Sequence, residues 1–466
     1  MQTLLNYILI LTLLVPAAFA ASPNVVILFA DDLGYGDVGA FGNPTIHTPN
    51  LDRMAHEGQR WTSFYVAAPV CTPSRAGIMT GRLPVRMGMV GPPGDRVLFP
   101  DSVNGLPPSE VTIAEVVKAK GYATMAIGKW HLGHRPQFLP TAQGFDSYFG
   151  IPYSNDMDKI KDAPKGWKLW EYPEVKNFDV PLMRDEKIVE RPADQNTLNR
   201  RYTEEAAKFI NAHKGGPFFL YLAYSSPHVP LFRSKAFAGV SLRGRFGDVV
   251  EEIDWSVGKV LAALKQAGVD GNTLVVFTSD NGPWLLFREQ GGTAGLLREG
   301  KGSTWEGGMR EPAIFRWPGK VKRGTVLEMG STLDLLPTIA ALTGGKVPTD
   351  RPIDGYDITP VLFGTGASPR NEMFYYRGDR LWAARVGNYK AHYFTKSGYR
   401  NDPELTHNPP LLFQLGHDPS EQWDVAEKHP EIVAEINQAV AAHKRTVKHV
   451  KSLFIDRDPS VVTATK

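Results

Sequence analysis

Cysteine is nearly absent from this sequence: 466 residues carry one, Cys71. A lone thiol forms no disulfide within the chain, and it excludes the multi-thiolate sites of zinc and iron–sulfur centres. A dominant charge is missing as well. Lys and Arg number 52 against 49 Asp and Glu, a net of +3, so nothing marks the chain for nucleic acid or an anionic membrane surface. Glycine (45) and proline (36) stay below low-complexity levels, so the chain is expected to fold. Its length suits one large α/β domain with a smaller companion. Long apolar runs are absent beyond the start. There, Leu4 to Val15 is broken only by Asn6, Tyr7 and Thr12, and Pro16 and Ala18-Phe19-Ala20 follow. The run is shorter than the ~20 residues of a membrane span. Although no Lys or Arg precedes it, residues 1–20 read as a secretory leader. The expectation is an exported protein, periplasmic or secreted, without stable membrane insertion once the leader is removed.

What is present between Asn24 and about Gly345 is an alternation of short apolar runs and helical stretches, the pattern of a mostly parallel sheet. Val25-Val26-Ile27-Leu28-Phe29-Ala30 suits a strand buried on both faces. Thr48-Pro49 opens a helix that runs to Glu57, and Thr112-Ile113-Ala114-Glu115 is a capping box. Further strands are expected over 122–127, 218–224 and 274–278, and helices over 201–213 and 248–266. Residues 151–199 lack periodicity and read as a surface excursion. Turn residues at 344–355 suggest a boundary. Beyond it, paired strands over 380–394 and a helix over 431–447 predict a smaller α+β domain built on antiparallel strands. The division expected is 1–20 leader, 21–345 catalytic α/β domain and 346–466 C-terminal α+β subdomain.

Ligands of parallel sheets collect at the carboxyl ends of the strands, and here those ends are polar. The first strand runs into Asp31-Asp32, the second into Lys129-Trp130-His131, the third into Ser226-Pro227-His228 and the fourth into Asp280-Asn281. Any one of these could be a common turn sequence. Together they assemble carboxylate and amide oxygens suited to a hard divalent cation, Ca²⁺ or Mg²⁺. Lys129 and His131 alternate, which places both on one side of an extended chain. Gly34-x-Gly36-x-x-Gly39 follows a strand, yet Phe41-Gly42-Asn43-Pro44 continues as loop where a dinucleotide site needs a helix. Thr72 is a plausible N-cap and Pro73 a first helical residue, which puts Cys71 at a helix N-terminus with Arg75 one turn on. Residue chemistry leaves two readings of Cys71: a buried inert thiol, or an activated one near a metal.

Cys71-x-Pro73-x-Arg75 with Gly81-Arg82 resembles the sulfatase signature. Asp31-Asp32-Leu33-Gly34-Tyr35-Gly36-Asp37, Gly128-Lys129-Trp130-His131-Leu132-Gly133 and Ser279-Asp280-Asn281-Gly282 match the other blocks of that family in order. Within the family the chain resembles the arylsulfatase A and N-acetylgalactosamine-6-sulfatase branch. The resemblance implies an alkaline phosphatase-like α/β fold and hydrolysis of sulfate monoesters, on small molecules or on oligosaccharides. It implies that Cys71 is converted by a formylglycine-generating maturation enzyme to formylglycine (3-oxoalanine), whose hydrate is the nucleophile. It implies one Ca²⁺ held by Asp31, Asp32, Asp280 and Asn281. Arg75 and His131 would hold the hydrate, Lys129 and Lys301 the sulfate oxygens, Ser154 would add a hydroxyl contact, and His228 would protonate the leaving alcohol. Two rival readings stay open: a phosphate or phosphonate ester hydrolase of the same superfamily, and a silent binder of sulfated glycan. Lys159, Lys161, Lys165, Lys168, Trp167 and Trp170 are either solvated surface or part of a subsite for an anionic sugar.

Overall fold

The computed structural model describes residues 22–92, 96–448 and 450–461; the expected leader lies outside them. Ten strands form the main sheet: β1 (Asn24–Ala30), β2 (Gln59–Tyr65), β3 (Ala123–Gly128), β4 (Ser147–Gly150), β5 (Leu182–Arg184), β6 (Lys187–Glu190), β7 (Phe218–Ala223), β8 (Thr273–Ser279), β9 (Arg310–Arg316) and β10 (Gly324–Ser331). Their order is β10-β2-β9-β8-β1-β7-β3-β4-β5-β6. At the centre β8, β1, β7, β3 and β4 run parallel, while β9 and the outer β5 and β6 are antiparallel to their neighbours. The aperiodic stretch 151–199 is therefore not wholly loop, since β5 and β6 extend the sheet edge.

Strand β1 shows why this layer is closed on both sides. Val26, Leu28 and Ala30 pack into one core, and Val25, Ile27 and Phe29 into the other, as alternate side chains of a strand must. The first core is covered by the helices Leu198–His213 and Gly244–Gln266. The second is covered by Cys71–Thr80, Ile113–Lys118 and Leu335–Thr343. The capping box forms as expected: Thr112 Oγ1 accepts from Glu115 N at 3.2 Å, and Glu115 Oε2 accepts from Thr112 N at 2.7 Å. Gly34-x-Gly36-x-x-Gly39 is followed by single 3₁₀ turns instead of a helix. Among the described residues no helix is long and apolar enough to cross a membrane.

A second, antiparallel sheet comprises β11 (Glu372–Arg377), β12 (Arg380–Val386), β13 (Tyr389–Thr395) and β14 (Leu405–Gln414). The helix Pro430–Thr446 seats Val433, Ile436 and Val440 with Leu381, Ala384, Ala391 and Leu412 of this sheet. Its junction with the large layer is polar as well as apolar. Lys390 is fully buried and its Nζ donates to Glu306 Oε1 at 2.9 Å and lies 3.1 Å from Glu421 Oε1. Glu421 in turn accepts from Glu306 N at 2.7 Å. Removing one partner from a buried ion pair leaves an uncompensated charge in low dielectric. Lys390→Met is expected to lower unfolding stability by about 3–5 kcal/mol, measured as a reduced urea midpoint with unchanged slope.

Candidate active site

The four central parallel strands β8, β1, β7 and β3 end at the same edge, and hydrogen bonds past their last residues hold the ends together. Asp31 N donates to Ser226 O, Asp280 N to Ala30 O and Lys129 N to Ala223 O. Gly128 makes the last approach possible: its φ is +98°, and a Cβ there would stand 1.7 Å from Ala223 O. Gly282 has the same role after Asn281, where a Cβ would lie 1.8 Å from Gly307 O. The spacing read from the sequence thus converges in space. Asp31, Asp32, Cys71 and Asp280 offer ligand atoms all within 4.8 Å of one another, and all four are buried.

Cys71 is the first residue of the helix Cys71–Thr80, and Val70 precedes it in extended conformation as the N-cap, without a side-chain cap bond. The helix therefore begins two residues earlier than the Thr72 cap expected from sequence. Thr72 Oγ1 instead accepts from Leu98 N at 3.2 Å. Burial pushes the Cys71 thiol up, beyond what the nearby Lys129 and Lys301 charges offset, so the unmodified residue is held as a neutral thiol and not as a thiolate. Its Sγ lies 3.6 Å from Asp31 Oδ1.

Cations match the carboxylates one for one. Arg75 Nε donates to Asp280 Oδ2 at 2.9 Å, Nη2 stands 2.9 Å from the same oxygen and 3.5 Å from Asp31 Oδ1, and Nη1 donates to Lys129 O. Lys129 Nζ donates to Asp31 Oδ2 at 2.7 Å and to Ser154 Oγ at 3.2 Å. Lys301 Nζ reaches both oxygens of Asp32, at 2.7 and 2.8 Å, with the Trp284 ring centroid 4.4 Å away. Burial raises Asp32 and lifts Asp280 to about 7, the latter helped by the neighbouring Asp31 charge. Asp31 goes the other way: burial opposes its charge, but Lys129, His228 and Arg75 hold it well below the usual carboxylate range.

This donor set fits a hard divalent cation. Asn281 Nδ2 donates to Asp32 Oδ1 at 2.7 Å, and the buried Asn281 Oδ1 has no hydrogen-bond partner among the described residues. An orphaned amide oxygen beside three carboxylates is a coordination set for Ca²⁺ or Mg²⁺, with no thiolate needed. The charge sum agrees. Three carboxylates against Arg75, Lys129 and Lys301 sum to zero, so a divalent ion makes the site positive and able to receive an anion.

Two histidines face the same space. His131 Nε2 lies 2.8 Å from Leu98 O, so Nε2 carries the proton and the buried, unpartnered Nδ1 presents a lone pair. His228 Nδ1 lies 2.5 Å from Val229 O, which assigns that nitrogen the proton and leaves Nε2 at 3.5 Å from Ser154 Oγ and 3.6 Å from Asp32 Oδ2. Burial, reinforced by Lys301 for His228 and by Lys129 for His131, depresses both histidines well below their usual range. A cavity of about 270 Å³ is lined by Cys71, His131, Ser154, His228 and Lys301. The structure therefore brings Asp31, Asp32, Cys71, Arg75, Lys129, His131, Ser154, His228, Asp280, Asn281 and Lys301 to one strand-end region, whereas Lys159, Lys161, Lys165 and Lys168 do not line its cavity.

Sequence reasoning missed Arg96, Trp284 and Tyr399, which also line this cavity. Trp284 packs on both His228, with ring centroids 5.4 Å apart, and Lys301. Its position three residues after Asn281 was the available signal. Arg96 and Tyr399 come from distant segments and stack on each other at 4.5 Å. An aromatic cleft of about 390 Å³ continues from Trp284 and Tyr399 to Trp167, Trp170 and Phe287.

Comparison with known proteins agrees with this geometry. A family model described as Sulfatase matches residues 23–345, and one described as C-terminal region of aryl-sulfatase matches residues 368–464. The chain is 44% identical over 457 residues to arylsulfatase A of Bos taurus, covering 92% of this chain and 89% of that protein. It is 40% identical over 463 residues to N-acetylgalactosamine-6-sulfatase of Homo sapiens, covering 91% and 86%. It is also similar to the crystal structure of Ps i-CgsB in complex with k-i-k-neocarrahexaose, with a TM-score of 0.77, 31% identity, and coverage of 92% and 94%.

Proposed function

The chain belongs to the sulfatase family and hydrolyses sulfate esters; from that premise we propose that its substrates are sulfated carbohydrates, that Cys71 is used as formylglycine, and that one Ca²⁺ sits among Asp31, Asp32, Asp280 and Asn281. The observation that carries this reading is the convergence of the three carboxylates of Asp31, Asp32 and Asp280 on the one cysteine, at the first position of a buried helix. Burial disfavours the thiolate form of Cys71, which is the chain's one cysteine. Modified, it supplies an aldehyde hydrate as nucleophile. The bound cation supplies charge stabilisation for the sulfate oxygens.

The chain's own residues then divide the work. Arg75 clamps Asp280 and Asp31 beside the nucleophile position. Lys129 and Lys301 are donors already held beside that position, and they stabilise charge that develops on the sulfate oxygens without reorganising. Ser154 Oγ bridges Lys129 and His228. His131 Nδ1 accepts a hydrogen bond from the group at position 71. His228 Nε2 is the atom that delivers a proton to the leaving oxygen, its ring fixed by the bond from Nδ1 to Val229 O. Trp167, Trp170, Trp284 and Tyr399 offer ring faces for the sugar, and Lys159 Nζ sits 5.6 Å from the Trp170 ring. The complex of a similar protein with an oligosaccharide supports a carbohydrate substrate. We further read the mature protein as exported, with a catalytic unit over 21–345 and a C-terminal one over 346–466.

The test is an assay of protein co-produced with a formylglycine-generating enzyme. Hydrolysis of 4-nitrophenyl sulfate and of sulfated oligosaccharides is expected to fall on the order of 100-fold or more with a calcium chelator, and to return with Ca²⁺ but not with Zn²⁺. Undiminished activity in the chelator would refute the metal assignment. Turnover of phosphonate esters but not sulfate esters would refute the function.

A further inference from the structure

Behind Arg96 lies a second cavity of about 390 Å³, lined by Arg96, Arg377, Arg380, Lys396 and the backbone at Gly302. It adjoins the catalytic cavity, because Arg96 lines both and Gly302 directly follows Lys301. Its basic groups come from the C-terminal sheet: Arg377 ends β11, Arg380 begins β12 and Lys396 follows β13. Two of the guanidinium groups converge on one neutral acceptor. Arg377 Nη2 donates to Gly398 O at 2.7 Å, Arg96 Nη1 donates to the same oxygen at 3.2 Å, and Arg377 Nη1 donates to Ser397 O. A carbonyl oxygen fixes their geometry and leaves their charge in place. Burial, then the neighbouring Arg96 charge, lowers Arg377 to about 10, as expected for like charges held together. The indole of the buried Trp382 lies 4.8 Å from both Arg377 and Arg380 and holds the two guanidinium planes. Of the described carboxylates that line the cavity, Glu404 pairs with Arg380 at 2.5 Å and Asp379 lies in the exposed hairpin turn.

Keeping like charges together is costly unless an anion relieves them, and fixed arginines bind sulfate and carboxylate through paired N–H donors. We propose that this cavity is a second anion subsite, which takes a sulfate or carboxylate group on a sugar adjoining the one being desulfated. The enzyme therefore selects multiply anionic oligosaccharides over singly sulfated ones. This deepens, and rests on, the reading of the Cys71 cavity as the sulfate ester site.

The experiment compares kcat/KM for 4-nitrophenyl sulfate, a singly sulfated neutral disaccharide, a disulfated disaccharide and a singly sulfated disaccharide with a uronate. The native enzyme is expected to favour the doubly charged disaccharides by about 10–100-fold, the worth of one or two charge-assisted hydrogen bonds. Arg377→Gln and Lys396→Gln are each expected to cut that preference by about tenfold through KM, and added salt to reduce it in parallel. The second variant guards against a disturbed Ser397–Gly398 backbone in the first. A preference for the disulfated compound alone identifies sulfate as the ligand, and one shared by the uronate identifies either oxyanion. No preference in the native enzyme, or equal losses on all four substrates in both variants, overturns the proposal. Absence of turnover on every sulfate ester, the aryl sulfate included, refutes the reading of the first cavity and the subsite with it.

Discussion

Cys71→Ala is expected to abolish sulfate ester hydrolysis, lowering kcat on the order of 10⁴-fold or more while the protein remains folded. Both halves of that expectation follow from the position of the side chain. Among the described residues its side chain makes one long polar contact, 3.6 Å from Sγ to Asp31 Oδ1, so truncation removes one small buried group at a cost of about 1 kcal/mol. The helix Cys71–Thr80 keeps its start, because its N-cap is the backbone of Val70 and no side chain caps it. The cation cluster also survives, since Arg75, Lys129 and Lys301 bond to carboxylates and not to sulfur. What disappears is the group proposed to form the bond to the substrate. An alanine variant that kept even one hundredth of the native kcat would show that water, activated by the remaining groups, attacks directly. The urea midpoint of the same variant checks that lost turnover is not lost structure.

His228→Gln is expected to show a leaving-group signature. For sulfate esters of sugar alcohols kcat/KM should fall by about 10²–10⁴-fold, whereas 4-nitrophenyl sulfate should lose far less. An alkoxide is a poor leaving group and departs only as it receives a proton, while 4-nitrophenolate is stable as an anion. His228 is placed for that transfer. Its Nδ1 is committed to Val229 O, its Nε2 opens on the cavity beside Ser154, and its ring is braced by Trp284. Burial and Lys301 disfavour its charged form, and a bound sulfate brings negative charge that opposes this. Glutamine preserves a hydrogen-bonding side chain of similar reach but cannot deliver a proton. Equal losses on alkyl and aryl substrates would reassign His228 to binding.

The sequence carries much of this site because parallel sheets leave a legible trace. A β-branched run buried on both faces has no room for charge, so Asp31-Asp32 after Ala30, or Asp280-Asn281 after Ser279, marks both the end of the strand and the place where ligands gather. The helix start is less legible. Thr72 has the composition of a cap, but its hydroxyl is taken by Leu98 N, a tertiary bond that no local pattern reveals. Residues that reach the cavity from far along the chain leave no trace at all. Tyr399 arrives from the connection between β13 and β14, and only the docking of the second sheet sets it against Arg96. The Glu306–Lys390–Glu421 bridge that secures this docking is similarly invisible, because a charged residue in an amphipathic strand reads as solvent-facing until its partners are known. Residues 151–199 show no periodicity in sequence because β5 and β6 are only three and four residues long, too short for a period-2 pattern to register.

The most direct test of the account is the mass of the tryptic peptide that contains Cys71, measured on the same preparations whose sulfatase activity is known. Protein made with the maturation enzyme is expected to carry the aldehyde or its hydrate at position 71, and specific activity should rise in proportion to the converted fraction. Full activity in protein whose Cys71 peptide is entirely unmodified thiol would contradict it.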